Sequence, residues 1–147
     1  MVNLGLYGTL LDPDIRALVF GEASRTAGRP ATLTGWARFY VEGEKYPGIR
    51  RRDGSVIDVL VLEGLAAETL AVADSFEGDG YSRETLDVQF TDTAGGNGSA
   101  MFYVPKPVIA LSAQEWRYDE TWRALHAEAF LQEARAAVAG NRTVVRR

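Results

Sequence analysis

The sequence predicts an α+β fold in which a mixed sheet or small barrel is flanked by helices. Three observations point there. The predicted elements run strand, helix, strand, strand, helix, strand, strand, helix, so hairpins are interleaved with single helices rather than following the regular crossovers of a doubly wound parallel sheet. Glycine-bearing turns separate the apolar runs. Finally, 46% hydrophobic and 24% charged residues over a length of 147 describe one ordinary globular domain. We place that domain at residues 1–140 and read 141–147 as a short basic tail with little order expected.

Each element has a local reason. Val2, Leu4 and Leu6 alternate with Asn3 and Gly5 before Gly8 and Thr9 break the run, which predicts a strand leading into a turn. Asp12 then suits a helix N-cap and Pro13 a first helical position, with Ile15, Leu18 and Val19 at helical spacing up to Gly21. Aromatic and β-branched residues over 31–41 predict a strand or hairpin with a bulge at Gly35, ending at Glu42 and Gly43. Tyr46, Pro47 and Gly48 read as a turn, residues 50–54 as a charged hairpin tip, and 56–62 as a central strand, apolar on both faces except at Asp58. Leu65, Thr69, Val72 and Phe76 form one stripe, with Leu70 and Ala73 beside it, of an amphipathic helix over 66–76 that stops at residues 77–80. Leu86, Val88 and Phe90 alternate, and the glycine-rich 94–98 closes a hairpin to 100–104. Ser112 and Glu115 have capping-box spacing. They predict a last helix with an apolar face of Trp116, Trp122, Leu125, Ala129 and Phe130, running to Gly140 and interrupted near Tyr118 and Asp119.

Composition removes whole classes of chemistry. The chain has no cysteine, which excludes disulfides, thiolate nucleophiles, iron–sulfur clusters and cysteine-built zinc sites. A single histidine, His126, is too few for a two-histidine metal site. The net charge of -4 has the wrong sign for a nucleic-acid clamp. No run is long and apolar enough to span a membrane and the N-terminus lacks the pattern of a signal peptide, so a cytoplasmic protein is expected.

Two places can carry chemistry. In the Tyr7, Gly8, Thr9, Leu10 turn, a strand ends and backbone N–H groups precede a helix, a concavity suited to an anion as well as to a plain connection. Glu77 follows the apolar Phe76, with Asp74 and Asp79 nearby. Burial and like charges there would raise a carboxyl pKa toward that of a proton shuttle, while the plain alternative is a solvated acid at a helix end. Asp12 and Asp14 form an acidic pair of the kind that binds a hard cation, but their places before and inside a first helical turn explain them fully as cap and dipole partner. Arg50 to Arg52 suit an anion patch or a solvated hairpin tip, and His126, Trp116, Tyr118 and Trp122 suit packing of the last helix.

The turn at Tyr7, Gly8, Thr9 and Leu10, the Tyr46, Pro47, Gly48 segment, and Asp74 and Glu77 followed by Tyr81 and Arg83 together resemble the gamma-glutamylcyclotransferase superfamily, and within it the AIG2-like branch. The 116–130 region is similar to the C-terminal segment of that branch, so the resemblance covers roughly residues 4–130. It implies a small mixed β-barrel with a pocket at its mouth. It further implies a γ-glutamyl group whose carboxylate and amine end is received by Tyr7, Gly8, Thr9 and Leu10, with Glu77 as general acid/base. Such an enzyme releases 5-oxoproline and a free amine from a small-molecule γ-glutamyl substrate and needs no metal, nucleotide or thiol. Arg38, Tyr46, Tyr81 and Tyr103 are the expected remaining pocket residues. Asp58 departs from the glycine expected in the third-strand pattern, and pointing inward it would need a partner such as Arg38 or Arg83. Two alternatives stand beside this one: a non-catalytic binder of a small carboxylate or γ-glutamyl ligand, and an enzyme processing the amide of a modified amino acid.

Overall fold

A computed structural model describes residues 1–140. Six strands and three helices follow in the order β1 (Val2–Leu6), α1 (Pro13–Phe20), β2 (Arg29–Val41), β3 (Pro47–Leu65), α2 (Ala67–Glu77), β4 (Tyr81–Phe90), β5 (Asn97–Pro105), β6 (Leu111–Glu115) and α3 (Glu120–Gly140). The strands hydrogen-bond in the order β3, β1, β5, β4, β2, β6, and β3 also pairs with β2. The first five therefore close into a barrel, and β6 adds to the outer part of β2. All pairings are antiparallel except that of β1 with β5, which makes the barrel mixed, as expected. Among the described residues no helix is long and apolar enough to cross a membrane. The expected tail at 141–147 lies outside the described residues.

Two apolar clusters share β1. One fills the barrel and includes Leu33, Trp36, Ile49, Val61, Val88 and Phe102; the other packs Leu4, Leu6, Ile15, Phe76, Trp116, Trp122 and Phe130 between barrel and helices. Gly5 sits where the two meet: a Cβ there would lie 2.1 Å from the Phe102 ring, so only glycine lets that ring close under the strand.

Three local expectations give way to strand pairing. Residues 46–48 and 50–54 are not turn and tip: β2 and β3 pair continuously through Tyr40–Pro47, Arg38–Ile49 and Trp36–Arg51, and the reversal is made at residues 42–46. The arginines stay on an exposed strand face because their guanidiniums cover aromatic rings, Arg50 over Phe39 at 4.1 Å and Arg51 over Trp36 at 5.3 Å. The register does shift at Gly35, between Thr34 and Trp36, but the extra residues are 52–55 of β3, which stand opposite that one glycine. Val56, expected in a strand buried on both faces, is 56% exposed, and Asp58 also points to solvent, so it needs no buried partner.

The capping-box segment is β6, not a helix start, because Phe39 and Val41 of β2 offer it a ladder. The last helix starts after it, where Asp119 Oδ1 accepts from the Trp122 amide at 2.9 Å. Its buried face is Trp122, Ala127, Phe130 and Ala134, while Leu125 is 69% exposed and Ala129 is exposed as well.

Candidate active site

The turn after β1 is a short 3-10 helix, Thr9–Leu11, ended by Asp12. Asp12 is fully buried and caps α1, accepting from the amides of Asp14 at 2.9 Å and Ile15 at 3.1 Å. Its second oxygen accepts from the Tyr118 hydroxyl at 3.0 Å and Arg123 Nε at 3.1 Å. Asp14 is tied to Arg25 and Arg123. The two acids are thus cap and ion-pair partners, with no cation needed to compensate them.

The carbonyls of the turn are drawn to one side. Arg38 Nη1 donates to Tyr7 O at 2.8 Å, and Arg16 Nη1 donates to Leu10 O and Leu11 O at 3.1 and 3.0 Å. Arg16 is buried with its remaining bonds on the carbonyls of Ser24 and Arg25. Every peptide of the described residues is trans, so the Gly8 N–H runs opposite to the Tyr7 carbonyl and faces away from Arg38. The amides of Gly8, Thr9 and Leu10 have no partner among the described residues. The Thr9 hydroxyl has none either, although Thr9 is only 2% exposed, and it is the sole buried side-chain oxygen or nitrogen in that state among the described residues.

On the face opposite the arginines, a pocket is lined by Gly5, residues 6–10, Pro47, Glu77 and Tyr103. Its enclosed volume is about 20 Å³, room for one ordered water, within about 340 Å³ that opens to solvent. Glu77 reaches it as the last residue of α2, which Gly78 terminates at a φ of 83°, a conformation costly for residues with a Cβ. The Gly78 amide donates to Asp74 O at 2.9 Å. One turn back on the same helix, Asp74 Oδ1 accepts the Tyr103 hydroxyl at 2.7 Å, and Arg83 Nε stands 3.6 Å away. Burial raises the Tyr103 pKa, and the charges of Asp74 and Glu77 push it further, so the phenol stays a donor at all ordinary pH. Tyr7 closes the inner wall by donating its hydroxyl to Tyr103 O at 2.6 Å.

The structure thus brings Tyr7, Gly8, Thr9, Leu10, Tyr103 and Glu77 to one pocket. Three expected residues are not in its lining. Arg38 lies on the reverse side of the turn, held by carbonyls of Tyr7, Asp58 and Trp116. Tyr46 is buried against Phe130 with its hydroxyl on Glu44. Tyr81 stands behind the wall and donates to Pro47 O at 3.3 Å. Gly5, Leu6 and Pro47 are lining residues not expected there, although Pro47 belongs to the Tyr46, Pro47, Gly48 segment that carries the resemblance. A Cβ on Gly8 would come within 2.9 Å of Pro47, so the glycine lets that wall close on the turn. His126 lies against Trp122 at 5.8 Å, away from this pocket, and burial and Lys45 lower its pKa.

Residues 5–124 match the family model described as gamma-glutamyl cyclotransferase, AIG2-like. The chain is 32% identical over 133 residues to AIG2-like protein D of Arabidopsis thaliana, covering 90% of this chain and 86% of the relative. It is 28% identical over 140 residues to protein AIG2 C of the same organism, covering 95% and 83%. A solution structure of an Arabidopsis thaliana protein superposes with a TM-score of 0.63 at 30% identity, covering 95% of this chain and 83% of that one. A structure of a gamma-glutamyl cyclotransferase superposes at 0.55 with 13% identity, covering 90% and 98%, a likeness of fold.

Proposed function

Since this chain belongs to the gamma-glutamyl cyclotransferase, AIG2-like family, we propose that it cleaves a γ-glutamyl amide to 5-oxoproline and a free amine, with Glu77 as the general acid/base. The observation that carries this reading is the pocket itself. Three amides without a protein partner, on residues that line the pocket, share one small space with a single carboxyl group, and the orphaned Thr9 hydroxyl is buried in the same turn.

In the proposed reaction the substrate's α-carboxylate accepts from the amides of Gly8, Thr9 and Leu10. Glu77 takes a proton from the α-amine, whose nitrogen attacks the γ-carbonyl to close a five-membered lactam. The amide C–N bond breaks and Glu77 returns the proton to the departing amine. Both transfers balance on one carboxyl group, each of the kind that contributes about 10² to 10⁴ in rate. Folding the γ-glutamyl chain back on itself supplies proximity, because nucleophile and electrophile belong to one molecule. Tyr103, whose one hydroxyl proton is committed to Asp74, lines the same space and offers it an acceptor oxygen. The narrow enclosed end suits the amino-acid head, leaving the released amine toward the open side.

Release of 5-oxoproline from a panel of γ-glutamyl amino acids and γ-glutamyl amines tests the reading. Activity on at least one substrate is expected, with a loss of about 10²-fold or more in Glu77→Gln. Equal rates for the two proteins overturn it. The tightness of the pocket favours one rival, a binder that captures a carboxylate without reaction. Thermal stabilisation by the substrates with no 5-oxoproline formed would select it.

A further inference from the structure

Behind the turn lies a second and larger cavity that the proposed reaction does not use. This cleft of about 700 Å³, within the size range of small-molecule sites, is lined by residues that include Arg38, Arg117, Val56, Ile57, Asp58 and Trp116.

Its lining carries Arg16, Arg25, Arg38 and Arg117 against the carboxylates of Asp58 and Glu115, so positive charge is in excess. Arg117 is exposed and makes no hydrogen bond, ion pair or ring contact with any described residue. Arg38 spends Nε and Nη1 on main-chain carbonyls and leaves Nη2 without a partner among the described residues. Asp58 and Glu115 are near enough to act on Arg38, yet no carboxylate of the described residues lies within ion-pair distance of either guanidinium. Glu115, at the rim, is turned toward Arg52 at 3.6 Å. The lining also has an apolar part: the Arg38 guanidinium stands 5.4 Å over the Trp116 ring, and Val56 is 56% exposed on the strand beside it.

We infer that this cleft is a second binding site, for a small organic carboxylate with an apolar tail. The carboxylate bridges Arg38 Nη2 and Arg117, and the tail covers the exposed Val56 side chain. The two oxygens of a carboxylate match the planar edge of a guanidinium, and an inorganic oxyanion would leave the apolar part of the lining uncovered. The occupant rests on the same side chain that holds the Tyr7 carbonyl at 2.8 Å, so it lies directly behind the turn. The site does not depend on the cyclotransferase reading, since its binding is measured without turnover.

Titration of the full chain with sodium hexanoate, followed by thermal unfolding and tryptophan fluorescence, tests it, with sodium phosphate and sodium chloride at matched ionic strength as separate arms. Hexanoate is expected to give a saturable rise in Tm of about 3–6 °C at tenfold excess over its Kd. Arg117→Gln, an exposed position, is expected to keep the unliganded Tm and weaken hexanoate at least about tenfold. Val56→Asp is expected to weaken it too, and Glu77→Gln to leave it unchanged. Equal affinity in Arg117→Gln overturns the site. So does an equal response to chloride, and a response to phosphate but not hexanoate overturns the assigned ligand.

Discussion

Asp12 and Thr9 stand on one turn, both shut away from solvent, and the fold treats them in opposite ways. Each Asp12 oxygen has two donors, from the α1 amides on one side and from Tyr118 and Arg123 on the other. The Thr9 hydroxyl has no partner within the described residues, and neither do the amides around it. A buried polar group with all its bonds made holds a structure together. One left without them costs about 1–3 kcal/mol and persists only where something else is gained. The contrast separates the half of the turn that anchors the fold from the half whose polar groups the described residues leave unsatisfied.

Four measurements break or sharpen that contrast. Asp12→Ala removes the helix cap and both ties to the last helix, and is expected to cost about 3 kcal/mol in denaturant unfolding, the largest effect of the set. Tyr118→Phe deletes only one donor to Asp12 and is expected to cost about 1 kcal/mol in the same measurement. Thr9→Val should go the other way: an apolar isostere relieves the orphaned hydroxyl, so stability should rise by about 0.5–1 kcal/mol. A Thr9→Val protein destabilised like Asp12→Ala would show that the hydroxyl is structural after all.

The smallest effect is in acid. The hydrogen bond from Arg25, and then that from Arg123, hold the Asp14 carboxyl below its ordinary 3.8. A carboxyl whose folded pKa is depressed adds stability above its unfolded value and loses it as pH falls through the folded one. Asp14 is 39% exposed, so water screens the pair and the gain is no more than the 0.2–1 kcal/mol or so of surface ion pairs. Asp14→Asn should therefore flatten stability against pH only below about pH 4, with little change at pH 7.

Much of this was legible without coordinates, and the failures have a common cause. Asp12 as a cap, Gly35 as a break in register, Gly78 as the stop that leaves Glu77 at a helix end, and the β4–β5 hairpin are all encoded by near neighbours in the chain. The capping box at Ser112 failed because a short segment with helical caps gains more from pairing with Phe39 and Val41 than from starting a helix alone. The arginine run failed as a tip because rings of β2 lie under it. Leu125 failed as a core residue because which stripe of α3 is buried depends on where the barrel and α1 lie, not on the helix itself.

By itself the sequence determined the α+β class, the residue types available for chemistry, and the positions of the turn and of Glu77 at the ends of their elements, because caps, glycines and alternation act over a few residues. Only the tertiary structure decided that Glu77 meets residues 6–10 in one pocket, that Arg38 holds the turn from behind instead of lining that pocket, and that Thr9 is left without a partner. Those facts depend on how the barrel closes, with β3 joining β2 and β1 beside β5, and closure is a sum of long-range contacts that no local pattern contains.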